Sequence, residues 1–228
     1  MDARAAAGDV AIVLAAIGVA WGASRLAIYP ALSIPDNAPV ILRPITGFFV
    51  AWWLLHWRKL GWDSLGLREP AIWWRVAVGA VALYLTNMAL SQWVVPVLAQ
   101  MLHPQLQPSF LAYIRGDIAG LLLWIAIGWV VGGFMEECLF RGFLLTRIAE
   151  LCGNGRAALA AGIVVQALLF GSMHLYGGSF AFVYASVFAL ASGIFYLLMG
   201  RNLWPLIAVH GVWNSVAVWG VYASRIGA

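Results

Sequence analysis

The stretch Val130–Leu145 reads VVGGFMEECLFRGFLL and lies within a longer apolar run. Only Glu136, Glu137 and Arg141 are charged in it. The other seven of the nine acidic residues, Asp9 among them, fall at run ends or in loops, where we expect water to reach them. An ionisable residue at the centre of a membrane span costs about 3 kcal/mol or more. Two adjacent carboxylates and an arginine at such a place therefore indicate a functional site.

The composition indicates whether the surface of the protein faces water or lipid. Of the 228 residues, 64% are hydrophobic and 10% are charged, and the mean hydropathy is +0.90. A soluble domain carries about 25% charged residues, so a water-soluble fold is excluded and lipid covers most of the surface. The thirteen tryptophans fit this environment, because amphipathic rings collect at the membrane interface.

Apolar runs of about 20 residues are long enough to cross a bilayer as helices. The chain therefore predicts an all-α fold, a multi-pass transmembrane helix bundle of about seven spans (six to eight) with a polar cavity inside the membrane. The predicted runs are Val10–Ala31, Ile41–Trp57, Ala71–Ala99, a run from Ile118 past Glu136, Ala157–Tyr176, Phe180–Met199 and Leu203–Ala223.

The segment Met101–Arg115 breaks the apolar pattern with glutamines and two prolines. It predicts an interfacial loop or a short surface helix. This segment separates a group of N-terminal transmembrane helices, residues 1–116, from a second group of helices, residues 117–228, within one membrane domain.

The basic residues predict the orientation. They are scattered singly between apolar runs, the pattern of loop charges that set membrane topology, and do not indicate nucleic-acid binding. The positive-inside rule places the N-terminus in the cytoplasm, and a short chain of this kind suits a bacterial inner membrane. With seven spans, one side receives Arg4, Arg58, Lys59, Arg68, Arg75, Arg147, Arg156 and Arg201, and the other side receives Arg43, Arg115 and Arg225.

Helical spacing separates the two glutamates. Glu137 and Arg141 are four residues apart, so their side chains lie on one helix face and can pair. Glu136 points about 100° away around the helix and has no local partner. The Glu137–Arg141 pair has a structural explanation, and Glu136 is the residue that requires a functional one.

Two histidines are predicted inside the membrane, His174 in the fifth run and His210 in the seventh. A lone intramembrane histidine more often joins two helices by a hydrogen bond than acts in catalysis. Two of them on separate spans, with Glu136 also buried, favour a shared site. Asn214 lies four residues after His210 on the same face, and Phe170 lies four residues before His174, where its ring can wall the imidazole.

Gly128, Gly132 and Glu136 form one stripe at helical spacing, with Gly133 beside it. Small residues at this spacing let transmembrane helices approach each other closely. We expect a neighbouring helix to pack against the stripe and so to reach the carboxylate.

Three motifs complete the pattern: E-E-x-x-x-R-G at Glu136–Gly142, F-x-x-x-H at Phe170–His174 and H-x-x-x-N at His210–Asn214. In this order, each in an apolar run, they resemble the CPBP (CAAX protease and bacteriocin-processing, or Abi) family of intramembrane proteases. The resemblance covers roughly residues 117–220.

The resemblance implies that the polar cavity is catalytic and that it hydrolyses peptide bonds of lipidated CAAX proteins or other membrane-embedded proteins and peptides. By position, Glu136 would activate water with help from His174, and His210 and Asn214 would stabilise the oxyanion. The residues that would support the site are Glu137, Arg141 and Phe170.

Three alternatives stay open. No cofactor is favoured, but zinc held by Glu136, His174 and His210 is the mechanistic rival; the absence of H-E-x-x-H disfavours it. The same polar groups also suit a membrane peptide-binding or immunity protein that does not cleave. They suit a proton-coupled transporter as well, although transporters usually show inverted repeats, and the sequence has none.

Overall fold

The described part of the computed structural model, residues 2–34, 38–102 and 110–224, folds into seven main helices. The helical fraction is 84%, and these residues form no strand. The helices match the predicted apolar runs one to one, which confirms the all-α multi-pass bundle. They are α1 (Ala3–Ala31), α2 (Leu42–Trp57), α3 (Trp73–Leu102), α4 (Ile118–Leu151), α5 (Arg156–Ser172), α6 (Gly178–Leu198) and α7 (Trp204–Ala223).

Among the described helices, five are long and apolar enough to cross a membrane, as expected of an integral membrane protein. The other two, α2 and α5, have 16 and 17 residues. At 1.5 Å per residue they are about 24 and 26 Å long, shorter than the hydrocarbon core of about 30 Å. Their facing ends meet inside the bundle, where buried Arg43 of α2 donates from Nη2 to the carbonyl of Met173, just beyond α5, at 2.5 Å.

The two ends of α4 follow from local chemistry. At the start, the Asp117 side chain accepts hydrogen bonds from two backbone N–H groups of the first turn, which stabilises the helix terminus. At the other end, α4 stops at Leu151, and Gly153 turns the chain at a φ of +95°, a conformation that glycine adopts without strain. The turn therefore falls at the sequence Gly153-Asn154-Gly155.

The fifth run was predicted to continue to Tyr176, and this boundary is wrong. Helix α5 ends at Ser172, and a 3-10 turn at Leu175–Gly177 leads into α6. Between this turn and the rest of α6, Gly178 has a φ of +80°, and a right-handed helix cannot continue through that conformation. His174 consequently lies in a turn between two helices, not inside a helix.

Two charged residues that were expected at water-exposed positions are buried. The Asp9 carboxylate is 0% exposed and pairs with Arg58 at 2.6 Å and with Arg147 at 3.4 Å. Arg147, 2% exposed, also pairs with Glu150 at 2.7 Å. These contacts connect α1, the end of α2 and the end of α4, so mutual pairing explains why the charges can leave water.

Helix α4 occupies the centre of the bundle and contacts α1, α2, α5 and α7. Every side chain from Cys138 to Arg141 is at most 2% exposed. The stretch that carries the buried charges is therefore also the structural core, and neighbouring helices determine what each charged group contacts.

Some predictions fall outside the described residues or stay predictions. Of the predicted interfacial segment, residues 103–109 lie outside the described part, and Phe110–Ile114 forms a short 3-10 turn. Arg225 also lies outside it. The division of the chain near residue 116 stays a prediction, as does the cytoplasmic position of the N-terminus.

Candidate active site

The middle of α4 departs from regular α-helical geometry. Its backbone widens into π-helical turns over Gly128–Glu136 and Cys138–Leu144. Such turns are rare and frequently occur at functional sites. The widened segment contains the glycine stripe and all three charged residues of the first motif.

Glu137 is the buried hub of the charged cluster. Its side chain is 1% exposed, and Oε1 accepts a hydrogen bond from Nη1 of Arg141 at 2.9 Å. The predicted pair is therefore present. The same oxygen lies 2.7 Å from Nδ1 of His210 on α7, a contact that the sequence did not predict. An ionised carboxylate only accepts hydrogen bonds, so Nδ1 carries the proton and Nε2 faces away from Glu137.

Glu136 faces a different environment. Its side chain is 15% exposed, and Nε2 of His210 lies 3.8 Å from its Oε2. This distance is too long for a hydrogen bond. Within the described residues, Glu136 thus keeps a carboxylate without a hydrogen-bond partner, beside an imidazole that Glu137 holds in place.

His174 is oriented by the backbone of α5. Its Nδ1 lies 3.0 Å from the carbonyl oxygen of Phe170. A carbonyl oxygen only accepts, so Nδ1 carries the proton and Nε2 has a free lone pair. Both oriented histidines therefore have their second ring nitrogen available for chemistry.

Phe170 lies at the centre of the cluster. Its ring centroid is 4.8 Å from that of His174 and 6.1 Å from that of His210, and the Arg141 guanidinium lies 4.6 Å from it. The Phe170 ring thus packs against these polar groups and separates them. It also walls the His174 imidazole, as the spacing of the two residues predicts.

Asn214 is fixed by the glycine stripe. Its Nδ2 donates to the carbonyl of Gly128 at 3.1 Å, which leaves its second N–H free to donate elsewhere. A Cβ on Gly132 would lie 2.3 Å from that nitrogen and 3.6 Å from Nε2 of His210. The stripe therefore lets α7 approach α4, as expected, and brings both motif residues of α7 next to Glu136.

Gly132→Ala is expected to lower kcat/KM about 100-fold, because a misplacement of about 1 Å in catalytic groups can have that effect. The added methyl group must displace the Asn214 amide. Steady-state cleavage by purified protein in detergent measures the loss. Gly220→Ala on α7 is the control, since its Cβ meets nothing within 4 Å. A wild-type rate for Gly132→Ala contradicts the placement of Asn214 in the site.

A cavity of about 290 Å³ opens beside Glu136. One ordered water needs only about 10–15 Å³, so several waters and part of a substrate fit. Its apolar lining comes from the segment that leads into α2, from the first half of α4, from the last turns of α7, and from Leu111 and Met173. Its polar lining comes from Arg43, Glu136, His174, Tyr176, His210 and Asn214.

A second, smaller cavity of about 110 Å³ is lined by the same two histidines and Asn214, together with Glu137 and Arg141. The structure thus brings all seven predicted residues, four catalytic and three supporting, into one continuous region. Within that region they line two different cavities. Glu136 lines the larger cavity, and the Glu137–Arg141 pair lines the smaller one.

The zinc alternative gains no support from the described residues. Across them, no three histidine, cysteine or carboxylate side chains are grouped so that they could hold a metal ion. The preference for a mechanism without a metal stays a prediction, and the steps below use only the side chains of the cavity.

Sequence reasoning missed Arg43 and Tyr176. Arg43 was interpreted as one of the loop charges that set membrane topology. It is, however, 8% exposed and lines the larger cavity. The signal was available, because Arg43 falls inside the predicted run Ile41–Trp57. Tyr176 carried no signal, and it reaches the cavity only because α5 ends early; its ring centroid is 5.9 Å from that of His174.

Comparison with known proteins gives one family. Residues 118–216 match the family model described as type II CAAX prenyl endopeptidase Rce1-like. No match to the chain was found among curated proteins or among solved structures. The matched segment contains all three motifs and every residue of the predicted site. Through this segment, the chain is similar to the Rce1-like CAAX endopeptidase family that its motifs resemble, and the match indicates an endopeptidase.

Proposed function

We propose that this endopeptidase hydrolyses peptide bonds of membrane-associated proteins or peptides with a water activated by Glu136. One observation carries the proposal: Glu136 has no hydrogen-bond partner in the described residues, yet it lines a cavity that His174, His210 and Asn214 also line. Amide hydrolysis needs a base for water and donors for the developing oxyanion, and this cavity contains both.

In the first step, Glu136 takes a proton from water as the water oxygen attacks the carbonyl carbon of the scissile bond. The free lone pair on Nε2 of His174 orients the same water. The carbonyl oxygen then carries the negative charge of the tetrahedral intermediate. Glu136 returns the proton to the leaving nitrogen as the C–N bond breaks, which balances the reaction.

Two donors are available for the oxyanion. Asn214 has one N–H beyond the one that it donates to Gly128. In its doubly protonated form His210 also donates from Nε2, and the Glu137 carboxylate 2.7 Å from Nδ1 supplies the opposite charge. Glu137 and Arg141 thus position His210 and do not react.

The substrate class follows from the family and the apolar lining of the cavity. We propose lipidated CAAX-type proteins or other membrane peptides, processed without a cofactor. The scattered basic residues support an N-terminus in the cytoplasm of a bacterial cell, with the site reached from within the inner membrane.

Comparative mass spectrometry of membrane peptides tests the function. Cells with the wild-type protein are expected to contain fragments that are missing from cells with the Glu136→Gln protein, which accumulate the uncut precursors. Identical peptide sets contradict the proposal. A precursor that copurifies uncut with the wild-type protein indicates a binding protein instead. Proton flux into liposomes that disappears in Glu136→Gln indicates a transporter.

A further inference from the structure

Arg43 is a buried cation that forms no ion pair within the described residues. Its side chain is 8% exposed, and its Nε has no hydrogen-bond partner. The Glu136 carboxylate interacts with Arg43 electrostatically, but from beyond ion-pair distance. The Nη2 group of Arg43 donates a hydrogen bond to the carbonyl of Met173.

This arrangement is costly for the free protein. A guanidinium is always charged and offers five N–H donors in a planar fork. A buried charge needs both an opposite charge and hydrogen bonds to offset its lost hydration. The other buried arginines of the chain have such partners, since Arg141 pairs with Glu137 and Arg147 pairs with Asp9 and Glu150. Arg43 is different, because its hydrogen bond goes to a neutral carbonyl and the Glu136 carboxylate lies beyond ion-pair distance.

The position of Arg43 shows where an anion can come from. The guanidinium lines the cavity of about 290 Å³ that also contains Glu136, His174 and Tyr176. A substrate carboxylate that enters this cavity can accept two parallel hydrogen bonds from an arginine fork, the strongest pairing available to either group. Its scissile bond then lies close to Glu136.

We propose that Arg43 is the receptor for a carboxylate of the substrate, which fixes the cleavage site a short distance from that carboxylate. The proposal rests on the proposed function and deepens it. The carboxylate is either the C-terminus of the substrate or an acidic side chain near the scissile bond. Arg43 lies outside the matched segment 118–216, so it adds a specificity-determining residue from the N-terminal half of the chain.

Two other roles for Arg43 make a different prediction. The hydrogen bond to Met173 could serve only to hold the turn that carries His174, or the positive charge could serve only Glu136. Either role lowers the cleavage rate of every substrate by the same factor. A carboxylate receptor lowers the rate only for substrates that carry the carboxylate.

The test uses a defined pool of apolar peptides, with and without a farnesylated cysteine, in three forms: free C-terminal acid, C-terminal amide, and amide with one glutamate near the C-terminus. Wild-type protein in nanodiscs is expected to cleave a carboxylate form at least about tenfold faster than the plain amide. Arg43→Gln should bring the ratio of the carboxylate rate to the plain amide rate close to one, whatever rate it leaves for the amide, and Arg43→Lys should retain part of the preference. The comparison of the two carboxylate forms identifies which source Arg43 binds.

Arg75→Gln is the matched control, because Arg75 is an exposed arginine at the start of α3 and its loss should leave all rates unchanged. Equal losses for all three peptide forms in Arg43→Gln overturn the proposal, as does an unchanged preference.

If wild-type protein cleaves none of the peptides, the proposed function fails for this pool. Peptide binding then tests the carboxylate site independently of cleavage. Glu136→Gln protein should then be thermally stabilised more by carboxylate forms than by amides, and the double variant with Arg43→Gln should not; equal stabilisation by all forms overturns the proposal.

Discussion

Glu136→Gln is expected to lower kcat/KM by about 100- to 10,000-fold, the range that a positioned general base contributes. Glutamine has nearly the same shape as glutamate but cannot take a proton from water. The free energy of unfolding should not fall by more than about 1 kcal/mol, because Glu136 has no hydrogen bond to lose within the described residues and glutamine replaces a charge that is costly within a membrane span. Peptide cleavage and denaturant unfolding in the same detergent measure the two quantities.

The adjacent carboxylate provides the control. Glu137→Gln removes the charge between Arg141 and His210, two side chains within 2.9 Å of Oε1. Breaking a buried ion pair on one side costs about 3–5 kcal/mol, so this variant should lose both stability and activity. We thus expect Glu136→Gln to lose activity alone and Glu137→Gln to lose activity together with stability. A Glu136→Gln protein with more than a tenth of the wild-type rate would show that the base is assigned wrongly.

The motif residues could be predicted because each sits in a strongly apolar run and the i, i+4 spacing fixes its helix face. The Glu137–Arg141 pair follows from that spacing alone. So does the common face of His210 and Asn214, which both reach the cavity beside Glu136. Their catalytic roles stay predictions that the variants above test.

Contacts between helices could not be predicted in this way. The hydrogen bond from His210 to Glu137 depends on how α7 docks on α4, and the π-helical turns of α4 depend on that packing as well. Hydropathy gives the position of a charge along a helix but not what faces it from another helix. This is why Arg43 and Asp9 were both assigned to water-exposed positions although each is buried in the bundle.

Asp9→Ala is expected to lower the free energy of unfolding by about 3–5 kcal/mol, because it leaves the buried guanidinium of Arg147 with one partner fewer and Arg58 without its carboxylate. Asp9 on α1 is 0% exposed, pairs with arginines at the ends of α2 and α4, and lines neither cavity of the site. The protein that remains folded should therefore keep the wild-type kcat. Unfolding in mixed micelles with increasing denaturing detergent measures the loss of stability, and cleavage below the transition measures kcat.

Asp2→Ala on the same helix is the matched control, since Asp2 is exposed and caps α1 through a hydrogen bond with the backbone N–H of Arg4 at 3.3 Å. Loss of a helix cap costs about 1 kcal/mol, clearly less than loss of a buried pair. A double variant, Asp9→Asn with Arg147→Met, should cost less than the sum of the two single changes, because the second change removes the charge that the first leaves unpaired. Additive costs would show that Asp9 and Arg147 do not stabilise each other, and the connection between α1 and α4 would then depend on apolar packing alone.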